Sequence, residues 1–150
     1  MGGHFWSYTV PFEEDIQSAL EKLREQEFRA GRFWQPSEVQ PGFFGRLLGR
    51  PPSKPKPPAT IQDAIKISTY TGTRSILDME RISQTPDFGT VSPVSPEDLQ
   101  RFFGTTQPTQ EIIERSDEFI DSLERGQGVY IILHQNGKPH QIYFAGYSYD

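Results

Sequence analysis

Apolar and polar residues alternate at the start of the chain. In "HFWSYTVPF", Trp6, Tyr8 and Val10 fall on one side and Phe5, Ser7 and Thr9 on the other. That period of two predicts a half-buried strand, stopped by Pro11. From Ile16 the period becomes helical. Ile16, Ala19, Leu20 and Leu23 recur at steps of three and four, with Glu13, Glu14 and Asp15 ahead of them and Gly31 behind. The acids suit the positive end of a helix and the glycine suits its exit. "RFWQP" (32–36) has the content of a short second strand.

Thr60 and Asp63 form a capping-box pattern that opens a helix with Ile61, Ala64, Ile65 and Ser68 on one face. "TYTG" (69–72) finishes it, Gly72 acting as a C-cap with Arg74 free to meet the last carbonyls. "SILDMERI" (75–82) has the length and apolar content of a strand, and "GTVSPV" (89–94) of a shorter one. Ser95-Pro96-Glu97-Asp98 starts a helix carrying Leu99, Phe102 and Phe103 and ending at Gly104. Pro108 and Thr109 open another, striped by Ile112, Ile113, Phe119, Ile120 and Leu123 and closed at Gly126.

The carboxyl end, "VYIILHQNGKPHQIYFAGY", is two β-rich runs joined by Asn136-Gly137, the preferred pair of a two-residue hairpin. Taken literally, that turn pairs Gln135 with Lys138, Leu133 with His140, Ile131 with Ile142 and Val129 with Phe144. Val129, Ile131, Leu133, Ile142 and Phe144 then face the core. Tyr130, Ile132, His134, Tyr143, Ala145 and Tyr147 form an outer surface. Pro139, opposite His134, marks the start of the last strand as a sheet edge. The element order predicts an α+β fold: a mainly antiparallel sheet of four to six strands, helices on one face, in a single domain over 1–150.

Residues 36–59 change this picture. Seven of the 24 are proline, and Arg46, Arg50, Lys54 and Lys56 gather positive charge in a chain whose net charge is −5. The segment predicts an extended loop or tether within the domain. Phe43, Phe44, Leu47 and Leu48 interleave with Arg46 and Arg50, a pattern that docks on a partner or folds back onto the core. The proline run has no basic residue at the flanking spacing that SH3-type grooves read.

Composition narrows the classes. The acidic balance argues against nucleic-acid binding, no run approaches the ~20 apolar residues of a membrane span, and the amino end lacks a secretory pattern. A cytoplasmic protein is the expectation. With no Cys there is neither a disulfide framework nor a thiolate metal site, and no cofactor signature is present.

Candidate chemistry is sparse. "TGTRS" lies at a helix's C-terminal end, which repels anions, so it is no phosphate loop. In a strand over 75–82, Ser75 and Asp78 fall on opposite faces, whereas Asp78 and Glu80 share one. Those two carboxylates, with Arg74 and Arg81 nearby, are the candidate pair for hydrolysis or for holding a metal, against the simpler reading of a solvated face. His134 is the histidine to test for acid–base work. Asp87-Phe88-Gly89 imitates a kinase triplet without the rest of that machinery and reads as a turn.

The combination of "HFWSYTVPFEEDIQSALEKLRE", "GTRSILDM", "SPEDLQRFFG" and "IYFAGYSYD" resembles small uncharacterised bacterial single-domain proteins. The resemblance implies a bacterial protein and brings no activity. The expected function is therefore a protein–protein interaction or accessory domain of immunity or regulatory type, without catalysis, its acidic body suited to sequestering a basic partner. Two alternatives stand beside it: a small hydrolase or transferase with an Asp78/Glu80 cleft under the 36–59 loop, and a small-ligand sensor with an aromatic pocket.

Overall fold

The computed structural model describes residues 3–68 and 71–150. Strand β1 (Phe5–Pro11) is followed by α1 (Ile16–Ala30), α2 (Phe43–Leu47) and α3 (Ile61–Ser68). A 3-10 turn (Ile76–Asp78) leads into β2 (Arg81–Ile82) and β3 (Thr90–Pro93). Helices α4 (Pro96–Phe103), α5 (Gln110–Glu114) and α6 (Asp117–Asp121) precede β4 (Gly128–Gln135) and β5 (Lys138–Tyr147). Among the described residues no helix is long and apolar enough to cross a membrane.

The caps follow from side-chain chemistry. The Asp15 carboxylate accepts from Ser18 N–H (3.0 Å) at the start of α1, and Gly31 takes a left-handed φ of 69° at its end. Ser95 and Gly104 do the same for α4. The predicted single helix over 109–125 is two short ones. Ser116, whose hydroxyl accepts from Phe119 N–H, caps α6 and breaks the run after Glu114.

The sheet has five strands in the order β1-β5-β4-β3-β2. β1 and β4 flank β5 antiparallel, whereas β3 runs parallel to β4 and β2 parallel to β3. The sheet is therefore mixed, not mainly antiparallel. The stretch from 94 to 127, with its three helices, carries the chain back to the same end of the sheet, as parallel neighbours require. Residues 32–36 form no strand, although Trp34 N–H donates to Thr73 O (2.8 Å).

Helices cover both faces of the sheet, not one. α1 packs through Ala19, Leu20 and Leu23 on Trp6, Val91, Ile142 and Phe144, with Tyr130 and Ile132 beside them. Ile113 and Phe119, from α5 and α6, pack on Ile131, Leu133, Tyr143 and Ala145, with Leu99, Phe102 and Phe103 of α4 adding to this second core. The aromatic outer surface expected on β4 and β5 is thus interior: Tyr143 is buried.

Register explains part of this difference. Asn136 and Gly137 both have positive φ, and Gln135 pairs with Lys138 and His134 with Pro139. Leu133 then pairs with Gln141, so His140 is an extra residue on β5. Beyond this bulge Ile131 opposes Tyr143 and Ile132 opposes Ile142. A slip of one residue moves every following β5 side chain to the other face.

Candidate functional site

The segment 71–78 makes a buried polar centre at the base of the sheet. Ser75 is extended and caps the 3-10 turn, its hydroxyl accepting from Leu77 N–H (3.2 Å). Asp78 turns back into this loop. Its Oδ1 accepts from Thr73 N–H (2.7 Å) and the Thr73 hydroxyl (2.8 Å), while Thr73 Oγ1 lies 2.9 Å from Ser75 Oγ. Thr73, Ser75 and Asp78 are all buried. Oδ2 has no hydrogen-bond partner. A methyl group built on Gly72 (φ +67°) would lie 2.7 Å from it, so the loop closes on the carboxylate only because residue 72 lacks a Cβ.

Electrostatics follow from this burial. Loss of solvent raises the Asp78 carboxyl above its ordinary value, opposed by the Thr73 donors, the Arg74 N–H and the charge of Arg24. Arg24 reaches over from α1 to donate to Leu77 O (3.1 Å). Tyr149 donates to Asp78 O (3.2 Å) and stacks on Phe88, ring centroids 4.6 Å apart. Burial, then the charges of Asp78 and Glu80, push its phenol up to about 12.

The predicted catalytic residues are dispersed in part. Residues 75–82 are not one strand, so the shared face expected for Asp78 and Glu80 does not exist: Asp78 is buried and Glu80 exposed. Both, with Arg81, Phe88, Gly89, Thr90 and Tyr149, still line a cavity of about 240 Å³. Ser75 and Asp78, expected on opposite faces, meet through Thr73. Among the described residues Arg74 meets no helix carbonyl. It pairs with Asp150 (2.6 Å) and lies over Trp34, 5.3 Å from the ring centre, and its own φ is +54°. The expected end of the helix at Thr69 and Tyr70 lies outside the described residues. His134 is half-buried, its Nδ1 3.1 Å from Ile132 O, and the bulge puts it on the opposite face from Tyr143. Among the described residues no three His, Cys, Asp or Glu side chains gather to hold a metal.

Sequence reading missed Arg24, Thr73 and Tyr149. Arg24 is 53 residues from its acceptor Leu77, so no spacing announces it. Thr73 and Asp78, five apart in a Gly-containing loop, were the local signal available.

The second candidate is the arm between α1 and α3. Val39 and Ser53 exchange two backbone bonds (2.8 and 3.1 Å), which pinch the loop at its neck. Inside it, α2 ends with Gly49 N–H donating to Arg46 O (3.0 Å) and Arg50 N–H to Gly45 O (2.9 Å), the paired bonds of a Schellman motif. Phe43, Phe44, Leu47 and Leu48 nevertheless stand 70–77% exposed. They do not fold back onto the domain core.

In comparisons with protein-family models, curated proteins and solved structures, nothing matches this chain.

Proposed function

We propose that the protein is a non-catalytic interaction domain, of accessory or regulatory type, that engages another protein through the arm at 39–53. One observation carries this reading: four large apolar side chains are held in water on a loop whose own backbone bonds keep it formed. Exposing them is unfavourable at roughly 25 cal/mol per Å² of apolar surface, so their return to an apolar environment is a driving force for association. The preformed neck and helix end lower the ordering cost of binding. Arg46 and Arg50 beside the apolar tip suit a partner groove edged by carboxylates. A basic partner would instead meet the acidic body of the domain.

The test replaces Phe43, Phe44, Leu47 and Leu48 together by serine and, separately, deletes 41–58. Capture from native lysate is then quantified by mass spectrometry for wild type and both variants. A species recovered by wild type and lost with both changes is expected. Equal recovery by all three proteins ends the proposal. The unfolding free energy of the serine variant should stay within about 2 kcal/mol of wild type, because each of its four surface substitutions contributes at most about 0.5 kcal/mol.

The hydrolase or transferase alternative keeps one support, the common cavity of Asp78, Glu80 and Arg81. That cavity is below the roughly 300 Å³ at which small-molecule sites begin, and Asp78 Oδ1 is already engaged by Thr73.

A further inference from the structure

β1 ends the sheet. On its inner side, Ser148 N–H donates to His4 O (3.0 Å) and Phe12 N–H to His140 O (3.1 Å), at the two ends of one register with β5. Even-numbered residues of β1 therefore turn their backbone groups toward β5, and Phe5, Ser7 and Thr9 turn theirs outward. Pro11 occupies an outward position too, where its missing N–H costs no ladder bond. Among the described residues no strand lies outside this edge. Phe5–Val10 carries no charge, no proline and no bulge, the devices that usually blunt such an edge.

Beside the edge runs a trough of about 490 Å³. Its walls include Tyr8, Trp34, Arg32 and Arg74, and no acidic residue lines it, although one Nη of Arg74 is taken by Asp150 (2.6 Å). Arg32 grips the buried Glu27 through two 2.8 Å bonds, yet its side chain remains 57% exposed. Trp6 Nε1 and Arg74 Nε, both buried on residues of this lining, have no hydrogen-bond partner.

We infer that the β1 edge is a peptide-binding site, which takes an extended segment of another protein bearing carboxylate side chains. The segment adds a strand beside β1. Its main chain exchanges hydrogen bonds with Phe5, Ser7 and Thr9, and alternate side chains enter the trough, where Arg32 and Arg74 favour carboxylates and the rings of Trp34 and Tyr8 pack on the stems that carry them, while the intervening side chains point to the opposite face. The site is separate from the arm, so either assignment can fail alone.

The experiment titrates isotope-labelled full-length protein with the acetylated, amidated peptide Glu-Val-Glu-Val-Glu-Val and follows amide exchange by NMR. Exchange at Ser7 and Thr9 should slow by about tenfold or more, with Tyr8 unchanged. Two versions N-methylated on alternate amides are added, and at least one should bind about tenfold more weakly. The lysine-for-glutamate peptide should lose a similar factor. Ser7→Pro removes one outward N–H without touching the β5 ladder and should abolish the protection. Ser7→Ala, which keeps that N–H, should retain it. Equal binding of both N-methylated peptides, equal binding of the lysine peptide, or no binding up to about 1 mM overturns the inference. Concentration-dependent protection of Ser7 and Thr9 without any peptide assigns the edge to a second copy of the chain and also overturns it.

Discussion

Replacing Asp78 separates its two energetic roles. Asp78→Ala leaves Thr73 N–H buried without an acceptor, while the Thr73 hydroxyl keeps Ser75 Oγ at 2.9 Å. An orphaned buried donor costs about 1–3 kcal/mol, and the lost packing adds to it, so a destabilisation of about 2–4 kcal/mol is expected. For a chain of this size that lowers the thermal midpoint by roughly 5–12 °C. Asp78→Asn retains an acceptor for Thr73 and removes the buried charge, so at neutral pH it should lie within about 1 kcal/mol of wild type, or be more stable. The pH dependence distinguishes the two roles further. Burial raises the folded-state carboxyl above the ordinary 3.8. The folded state then holds the proton more tightly than the unfolded chain, so this contribution to stability is complete below 3.8 and is lost as pH rises through the folded value. Each unit of separation is worth about 1.4 kcal/mol. Urea titrations from pH 3 to 8 should show that decline in wild type and its absence in Asp78→Asn. An alanine variant as stable as wild type, or an asparagine variant with the wild-type slope, refutes the account of Asp78 as the neutral-favouring clasp of the 73–78 loop.

Two further perturbations probe the framework by urea denaturation. Phe119, 1% exposed and held between Phe102 and Phe103 at 5.6 and 5.1 Å, should cost about 3–5 kcal/mol when cut to alanine, and a cost under 1 kcal/mol would deny the second core. Gly72→Ala places a Cβ 2.7 Å from Asp78 Oδ2 and 2.9 Å from the Tyr149 ring at φ +67°, so a loss of about 1–3 kcal/mol is expected, checked against Gly137→Ala, where the added Cβ meets nothing within 4 Å.

Local signals carried much of the fold. Capping residues at Asp15, Ser95 and Gly104 act within a few residues, and they appear where the pattern places them. Sheet geometry depends on more distant terms. A bulge at His140 is invisible because the paired stretches beyond it, 129–133 and 142–145, have no polar–apolar alternation to fix the register, as a sheet covered on both faces needs apolar residues on both. The same double coverage hid the faces of β4 and β5: Tyr130 and Tyr143 look amphipathic, and each found a core. "SILDMERI" failed as a strand because Ser75 and Asp78 favour local side-chain bonds to backbone over an extended ladder.

The chemistry-bearing types in this chain are largely engaged in holding it together. Asp150 joins Arg74 and Ser148, and Ser148 Oγ accepts from His4 N–H, so the last residues tie the start of β1 to the 71–78 loop. The Ser148 hydroxyl and the Arg74 charge both hold Asp150 below the ordinary carboxyl value. Trp34, bonded to Thr73 O and lying under Arg74, joins the root of the arm to that same knot. In this knot the polar groups are aimed at one another. What the described residues leave exposed is of a different kind: the apolar tip of the arm and the outward amides of β1. Both are anchored to that knot, the arm through Trp34 and β1 through His4 and Ser148.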